Sequence, residues 1–324
     1  MSERPRIVVS RWIPEEAVKL LREAGEVWVS EADRALTPEE LRDAVSGAAA
    51  VVSMLHDRVD GALADAAGPC LRVVANVAVG YDNVDVPALA ERGVAVTNTP
   101  GVLTEATADL AFGLLLAATR RLGEGERLLR ARRPWSFHLG FLLGTGLQGK
   151  TLGIVGLGQI GQAVARRARA FGMEIVYSGR SRAAAAVESA LAAERLPLRE
   201  LLRTADVVSL HCPLTPDTRH LIDAEALAAM KPGAFLVNTT RGPVVDESAL
   251  ADALRAGTIA GAALDVFERE PEVEPRLLDL DNVALSPHLG SATVETRTEM
   301  ALLAARNVAA VLSGADPITP VLPT

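Results

Sequence analysis

The chain has 324 residues, and 49% of them are hydrophobic. This length exceeds that of one typical domain core and predicts two domains. Its formal net charge of −8, without long blocks of like charge, argues against a nucleic-acid partner. The longest apolar stretch, Leu110 to Ala118, is too short to cross a bilayer, and Met1 to Arg6 carry no secretion signal. We therefore expect a cytoplasmic protein with no membrane partner.

The only two cysteines, Cys70 and Cys212, lie far apart and have no partner at metal-ligand spacing. Both stand among apolar residues, which predicts two buried free thiols and no metal site. Such thiols fit a reducing compartment.

Short apolar strands alternate with helices through the first hundred residues. Helices begin at Pro14 and at Thr37, and Pro38 occupies the first helical position of the second one. Strands are expected at 7–9, 27–29, 49–53, 73–75 and 94–96. This alternation predicts a parallel sheet covered by helices on both faces.

One long helix over 104–129 and an irregular segment over 132–147 interrupt the alternation. It then resumes with strands at 151–155, 174–177, 207–210, 234–238, 259–264 and 283–285, and with helices at 159–171, 198–203 and about 292–313. The last helix has no strand after it, so it could return to the first α/β unit.

A glycine-rich turn joins the strand at 151–155 to its helix. Its sequence, Gly156-Leu157-Gly158-Gln159-Ile160-Gly161, matches G-x-G-x-x-G in the required strand–turn–helix context. Gly156 permits the tight turn, Gly158 lets the backbone approach a pyrophosphate, and Gly161 lets the helix pack on the strand. The turn predicts a dinucleotide site at a helix N-terminus.

The next strand ends in Tyr177-Ser178-Gly179-Arg180-Ser181-Arg182, without the acidic residue that binds the ribose hydroxyls of NAD. A carboxylate would repel a 2′-phosphate, whereas guanidinium groups and a hydroxyl suit it. We therefore expect NADP(H) to be preferred and NAD(H) to be an alternative. The predicted contacts are Gly179, Arg180, Ser181 and Arg182.

Three segments in the second half place reactive side chains after strand ends, where open α/β sheets bind ligands. Arg241 lies in 238–242, Glu270 in 264–271 and His288 in 285–293. Of the five histidines, His288 has the most site-like context, between Pro287 and a turn of small residues. It is a candidate proton donor near neutral pH.

These segments together resemble the D-isomer-specific 2-hydroxyacid dehydrogenases, and among them the glyoxylate/hydroxypyruvate reductases. The resemblance spans essentially the whole chain and is clearest from Val74 to Thr293. Segment 79–83 looks like the family's substrate-carboxylate loop, segment 153–158 like its dinucleotide turn, and segment 177–180 is similar to the NADP-type reductases.

The resemblance implies reduction of a 2-keto acid such as glyoxylate or hydroxypyruvate to glycolate or D-glycerate, by hydride transfer from the nicotinamide. Arg241 would bind the substrate carboxylate and polarise the carbonyl. His288 would donate the proton, and Glu270 would hold its imidazole. The N–H groups of Val79 and Gly80 would bind the carboxylate from the other domain.

Further contacts follow from the same resemblance. Thr239 and Asp265 would face the nicotinamide, and Pro213 would lie near the adenosine ribose. The remaining residues assigned to the cofactor are Gly156, Gly158, Gln159, Ile160, Gly161, Cys212, Thr218, Thr240, Arg241, His288, Gly290 and Ser291. The protein is expected to be a homodimer, in which Trp135 either reaches the partner's substrate pocket or is buried in the interface.

The predicted fold class is α/β, with two Rossmann-like or flavodoxin-like parallel-sheet domains and a cleft between them. A discontinuous substrate-binding domain would span 1–99 and 289–324. The dinucleotide-binding domain would span 100–288 and include a dimerisation arm at about 101–150.

Two other assignments share the catalytic residues. One is an NAD-dependent phosphoglycerate dehydrogenase, although those enzymes often carry a C-terminal regulatory domain and usually keep the acid that is missing after Tyr177. The other is a corepressor that senses dinucleotides without catalysis. The missing acid and the lack of disordered tails count against it.

Overall fold

The computed structural model describes residues 4–32 and 34–323, which form two compact units. Unit 1 contains the described residues up to Leu103 and again from Ser291 onward, and unit 2 is Thr104–Gly290. Each unit is an α/β layer structure built on one sheet.

The strands are β1 Arg6–Val9, β2 Glu26–Val29, β3 Ala50–Ser53, β4 Val73–Asn76, β5 Ala95–Thr97, β6 Thr151–Val155, β7 Glu174–Ser178, β8 Ala193–Arg195, β9 Val207–Leu210, β10 Phe235–Asn238, β11 Gly261–Leu264 and β12 Val283–Leu285. The helices are α1 Glu15–Ala24, α2 Pro38–Ala44, α3 Gly61–Ala67, α4 Val86–Glu91, α5 Thr104–Thr119, α6 Leu122–Arg130, α7 Gln159–Ala170, α8 Ala185–Leu191, α9 Leu198–Thr204, α10 Ala224–Ala229, α11 Glu247–Ala256, α12 Pro275–Leu278 and α13 Val294–Ser313. Gly242–Val244 forms a short 3-10 turn.

Unit 1 is built on a parallel five-stranded sheet with the order β2-β1-β3-β4-β5. In β1, Ile7 and Val9 pack toward α1 and α13, and Val8 packs toward α2, α3 and α4. This alternation follows from the two-residue period of a strand, and it explains why the strands of a doubly covered sheet are apolar throughout.

Unit 2 is built on a parallel seven-stranded sheet with the order β12-β11-β10-β9-β6-β7-β8. Helices α5, α7 and α8 cover one face, and α9, α10 and α11 cover the other. The strand order reverses between β6 and β9. In such sheets the carboxyl ends of the strands at the reversal form the ligand crevice. Two parallel-sheet α/β units were predicted, and the structure has both.

The structure corrects the prediction of one helix over 104–129. Helix α5 ends at Thr119, and Arg121 has a left-handed backbone with φ of +54°, which no α-helix can continue. The separate α6 contains two glycines and buries none of its residues, whereas α5 buries half of its length. The segment at 132–147 contains no helix or strand, as expected.

Cys70 is exposed, so the prediction of two buried thiols is wrong for this residue. It follows Gly68 and Pro69 in the surface turn between α3 and β4, and only the next residue, Leu71, is buried. Cys212 is partly buried and has no disulfide partner. Within 4–32 and 34–323, no helix combines the length and apolar character needed to cross a membrane.

Candidate active site

The glycine turn lies at the carboxyl end of β6, at the strand-order reversal. Gly156 has φ of +98°, and a Cβ atom there would lie 2.7 Å from the carbonyl oxygen of His211, which follows β9. Only glycine avoids both the backbone strain and the overlap. Gly158 caps α7 without a side-chain hydrogen bond, and the space beside its Cα is open. The first N–H groups of α7 are therefore not satisfied by a cap.

A buried polar atom without a partner lies at the end of β10. Among the described residues, the Thr239 hydroxyl is buried and makes no hydrogen bond. Its neighbours are satisfied internally, since Oδ1 of Asn238 accepts both the N–H and the hydroxyl of Thr240, at 3.1 and 2.9 Å. A buried hydroxyl without a partner is costly. This residue and the uncapped α7 fit a bound dinucleotide, because such a ligand supplies phosphate oxygens and polar groups.

His288 and Glu270 are in direct contact. Nδ1 of His288 lies 2.8 Å from Oε2 of Glu270, and the backbone N–H of Phe267 donates to Oε1 of the same carboxylate at 3.0 Å. Both side chains are about one-fifth exposed. Because a carboxylate only accepts hydrogen bonds, Nδ1 carries the proton in this contact.

Asp265 holds the loop that carries His288. Its Oδ1 accepts the hydroxyl of Ser286 at 2.5 Å and the N–H of Leu289 at 2.7 Å, and its Oδ2 accepts the N–H of Gly290 at 2.8 Å. Burial raises the pKa of Asp265, against the effect of these bonds. The backbone of His288 is left-handed, with φ of +52°, and its N–H donates to the carbonyl of Asp265. Asp265 therefore fixes the direction in which the imidazole leaves the backbone.

Arg241 follows β10 and is half-buried, with Nη1 donating to the carbonyl of Thr240 at 2.8 Å. The next residue, Gly242, is packed so closely on the 265–270 loop that a Cβ atom would overlap the carbonyl of Phe267. β10, β11 and β12 are neighbours in the sheet. Arg241, Glu270 and His288 therefore follow three adjacent strands.

Two further acidic residues and a histidine anchor the 265–270 loop. Oε1 of Glu247, a buried residue at the start of α11, accepts the N–H of Glu268 at 2.6 Å. The Glu268 carboxylate lies 2.5 Å from Nε2 of His220. These three residues were not predicted, because their partners are 21 and 48 residues away in the chain and such contacts leave no local sequence pattern.

In unit 1, the loop after β4 presents backbone N–H groups. Three successive carbonyls of this loop accept hydrogen bonds. The Thr99 N–H donates to the carbonyl of Ala78, Asn98 Nδ2 donates to that of Val79 at 2.8 Å, and Asn76 Nδ2 donates to that of Gly80 at 3.0 Å. By contrast, no atom of the described residues accepts the N–H groups of Val79 and Gly80. Successive N–H groups of this kind form an anion-binding concavity.

The predicted NADP contacts differ in their surroundings. Arg180, Ser181 and Arg182 are exposed, and Gly179 is half-buried. Arg182 forms a bidentate ion pair with Glu188, which the sequence reasoning missed.

Other predicted cofactor residues lie around the carboxyl ends of β6, β9 and β12. Burial raises the pKa of Cys212 to about 11, so its thiol is uncharged at neutral pH. The Thr218 hydroxyl donates to the carbonyl of Pro213 and accepts the N–H of Thr215, both at 2.7 Å. Gln159 accepts a bond from Thr104 at 3.4 Å. Ile160 and Ser291 are half-buried, while Gly161 and Gly290 are buried.

Trp135 lies in an exposed apolar segment. Its side chain is 56% exposed and stacks on Phe141 with ring centroids 5.9 Å apart. Phe137 and Leu139 are 80% and 90% exposed. A cluster of exposed large apolar side chains is typical of an interaction surface.

Comparison with known proteins identifies the family. The model of the D-isomer specific 2-hydroxyacid dehydrogenase NAD-binding domain matches residues 112–290. A glyoxylate reductase of Thermococcus onnurineus is 50% identical over 98% of this chain and 95% of its own length. A glyoxylate reductase of Pyrococcus furiosus is 49% identical over the same shares.

Solved structures agree. A protein from Thermus thermophilus, 48% identical, superposes with a TM-score of 0.92 over 98% of this chain and all of its own. An NADPH-dependent glyoxylate/hydroxypyruvate reductase from Sinorhizobium meliloti, solved with NADP and malonate, is 39% identical, with a TM-score of 0.86 over 98% of this chain and 97% of its own. The predicted resemblance is confirmed: this chain belongs to the D-isomer-specific 2-hydroxyacid dehydrogenases, which are NAD(P)-dependent enzymes.

Proposed function

We propose that this protein is an NADPH-preferring reductase of glyoxylate and hydroxypyruvate, which it converts to glycolate and D-glycerate. The observation that carries the chemistry is the 2.8 Å contact of His288 with Glu270 at the carboxyl edge of the unit 2 sheet. The choice of substrate is supported by relatives at about half identity that are named glyoxylate reductases. In this proposal unit 2 binds the dinucleotide and carries Arg241 and His288, and unit 1 contributes the N–H groups of Val79 and Gly80 to substrate binding.

A nicotinamide dinucleotide, when bound, supplies the hydride that reduces the carbonyl carbon of the substrate. The carbonyl oxygen then gains negative charge and needs a proton. His288 provides it from Nε2, because Nδ1 is directed at Glu270. The carboxylate stabilises the charged imidazolium before transfer and keeps the ring oriented afterwards.

Arg241 and the 79–80 loop bind the acid group of the substrate. A guanidinium forms two parallel hydrogen bonds to a carboxylate and, from the same fork, polarises a neighbouring carbonyl. The N–H groups of Val79 and Gly80, which no described atom accepts, add two neutral donors. Two donor sets of this kind select a 2-keto acid over a simple ketone or aldehyde.

The cofactor contacts are proposed as the sequence predicted them. Gly156, Gly158, Gln159, Ile160 and Gly161 bind the pyrophosphate, and the residues after β9, β10, β11 and β12 bind the rest. The preference for NADPH rests on the end of β7, where Ser178-Gly179-Arg180 replaces an acid. The relative from Sinorhizobium meliloti, an NADPH-dependent enzyme solved with NADP, supports it.

We propose a homodimer whose interface is formed by the exposed apolar segment at 131–147 and by α6, which buries no residue within the chain. Trp135 then contacts the partner subunit, either at its substrate pocket or within the interface. Sedimentation velocity of the wild-type chain and of Phe137→Ser tests this, because a monomeric wild-type protein contradicts the proposal. The cytoplasmic location stays a prediction.

The deciding experiment is a matrix of substrates and cofactors. Purified protein is assayed with glyoxylate, hydroxypyruvate, pyruvate and 3-phosphohydroxypyruvate, each with NADPH and with NADH. The proposal expects the highest kcat/KM for glyoxylate or hydroxypyruvate with NADPH. Highest activity on the phosphorylated acid with NADH would identify a phosphoglycerate dehydrogenase instead. Binding of a dinucleotide without any turnover would favour a sensor.

A further inference from the structure

The loop that joins β7 to α8 carries the residues expected at the 2′-phosphate of NADP. Residues 179–182 of this loop, here called the specificity loop, include two arginines that sequence reasoning treats alike. In the structure the two arginines differ, because each has a different set of neighbours.

One end of the specificity loop is fixed by Glu188 of α8. Arg182 donates to both carboxylate oxygens of Glu188, from Nε at 3.0 Å and from Nη2 at 2.9 Å. The Tyr177 hydroxyl donates to the same carboxylate at 2.5 Å and accepts the N–H of Ala183 at 2.9 Å. The Arg182 guanidinium and then the Tyr177 hydroxyl hold the pKa of Glu188 below its usual value, so this carboxylate is charged at neutral pH.

The other end is fixed by Arg195, at the end of β8. Its Nη2 donates to the carbonyl of Gly179 at 2.8 Å and reaches that of Arg180 at 3.4 Å. β8 pairs with β7 so that Arg195 lies opposite Tyr177. The backbone of the specificity loop is therefore held from both sides.

Arg180 is in a different position. Its side chain is exposed, and it makes no hydrogen bond or ion pair with any of the described residues. Within the specificity loop it is the guanidinium whose donors are available to a ligand.

Building on the proposed NADPH preference, we propose that Glu188 determines cofactor specificity by holding Arg182 in an ion pair, so that Arg180 is the guanidinium that binds the 2′-phosphate. Arg182 and Arg195 are positioning residues that act through the backbone of the loop.

The charges explain why Arg182 does not share this task. To reach a phosphate, Arg182 would leave behind the Glu188 carboxylate, whose side chain is only 12% exposed. The Glu188 carboxylate would then lose its ion pair and keep only the hydrogen bond from the Tyr177 hydroxyl. If Arg182 instead kept its partner, the phosphate would approach a carboxylate, and like charges repel. Glu188 therefore limits the positive charge offered to the phosphate.

The test compares two nucleotides that differ only in the phosphate, 2′,5′-ADP and 5′-AMP, by isothermal titration calorimetry on the full chain. Arg180→Ala should weaken 2′,5′-ADP binding about 10- to 100-fold, as expected for charge-assisted hydrogen bonds, with a much smaller change for 5′-AMP. Arg182→Ala, the same truncation two residues away, should weaken both nucleotides by a similar factor, because it loosens the loop.

Glu188→Gln keeps an acceptor for Tyr177 but removes the charge, and it should tighten 2′,5′-ADP binding severalfold by releasing Arg182. Adding Arg182→Ala to this variant should abolish the increase in affinity for 2′,5′-ADP. The inference would be overturned by an Arg182→Ala variant that loses the selectivity for the 2′-phosphate as fully as Arg180→Ala does. It would also be overturned if Glu188→Gln left the ratio of the affinities for 2′,5′-ADP and 5′-AMP unchanged. In both cases the wild type still prefers 2′,5′-ADP and the proposed function stands. A wild type that binds both nucleotides equally refutes the NADPH preference itself.

Discussion

Glu247 and Glu268 are joined by a hydrogen bond in which the backbone N–H of Glu268 donates to Oε1 of Glu247 at 2.6 Å. Burial raises the pKa of Glu247, yet the carboxyl group serves here as an acceptor for the backbone, a task that needs an oxygen and not a charge. The bond fixes the loop that ends in Glu270, and through Glu270 it fixes the imidazole of His288.

Glu247→Ala should therefore lower kcat about tenfold and destabilise unit 2 by about 1–3 kcal/mol, because it leaves the partly buried N–H of Glu268 without its acceptor. Steady-state kinetics and calorimetric melting measure the two effects. The matched variant Glu247→Gln retains an amide oxygen and should restore most of both. Wild-type kcat in Glu247→Ala would show that the loop does not need this anchor.

Replacing His288 should separate proton donation from loop geometry. With φ of +52° at this position, asparagine is better suited than alanine, because asparagine tolerates the left-handed region. His288→Asn should lower kcat by about 100-fold or more and keep the wild-type melting temperature. Dinucleotide binding, followed by nicotinamide fluorescence, should persist. A variant with wild-type kcat would remove His288 from the reaction.

Asp265 offers a second test of how the histidine loop is held. Its two oxygens accept three bonds, and the Asp265→Asn variant replaces one oxygen with a donor. Two donors then face each other, so kcat should fall at least tenfold and stability by about 1–3 kcal/mol. Ser286→Ala, which removes one bond of the three, is the milder control. Equal effects of the two variants would contradict the proposed role of Asp265.

Local patterns predicted much of this fold and site. Thr37 and Glu40 form the capping box at the start of α2, and the glycine turn follows β6 as its spacing requires. The contact of Glu270 with His288 was also predicted, although from resemblance to the family and not from spacing.

The remainder depends on contacts that are distant in sequence. β8 is only Ala193-Glu194-Arg195, which has little strand propensity, and it exists because it pairs with β7. The pairing of Arg182 with Glu188 likewise depends on how α8 packs after the loop. A pattern of arginines after a strand indicates charge at that place but not which guanidinium is already engaged.

Asn98 should affect substrate binding more than turnover. Its side-chain amide donates to the carbonyl of Val79 at 2.8 Å and so holds the backbone of the loop whose N–H groups, at Val79 and Gly80, no described atom accepts. Asn98→Ala should raise the KM for glyoxylate about fivefold with kcat changed less than about twofold, since a neutral hydrogen bond is worth about 1 kcal/mol. Arg92→Ala, at an exposed ion pair with Asp65 in the same unit, is the control. A fall in kcat at constant KM would contradict this role.

His211 should make the stability of unit 2 depend on pH. Burial lowers its pKa from 6.5 to about 4, and its Nδ1 has no hydrogen-bond partner among the described residues. Between these two pH values the unfolded chain binds the proton that the folded chain excludes. The contribution of His211 to the free energy of unfolding is therefore complete above about pH 6.5 and is lost as the pH falls toward 4.

His211→Gln should reduce this dependence, because glutamine does not titrate and can still bond to Ser209, which lies 2.8 Å from Nε2. The difference in free energy of unfolding between wild type and variant should change by on the order of 1–3 kcal/mol between pH 7 and pH 4.5. Melting temperatures of both proteins, recorded across that pH range, follow this change. If His211→Gln follows the wild-type profile at every pH, the buried imidazole already carries its proton in the folded state.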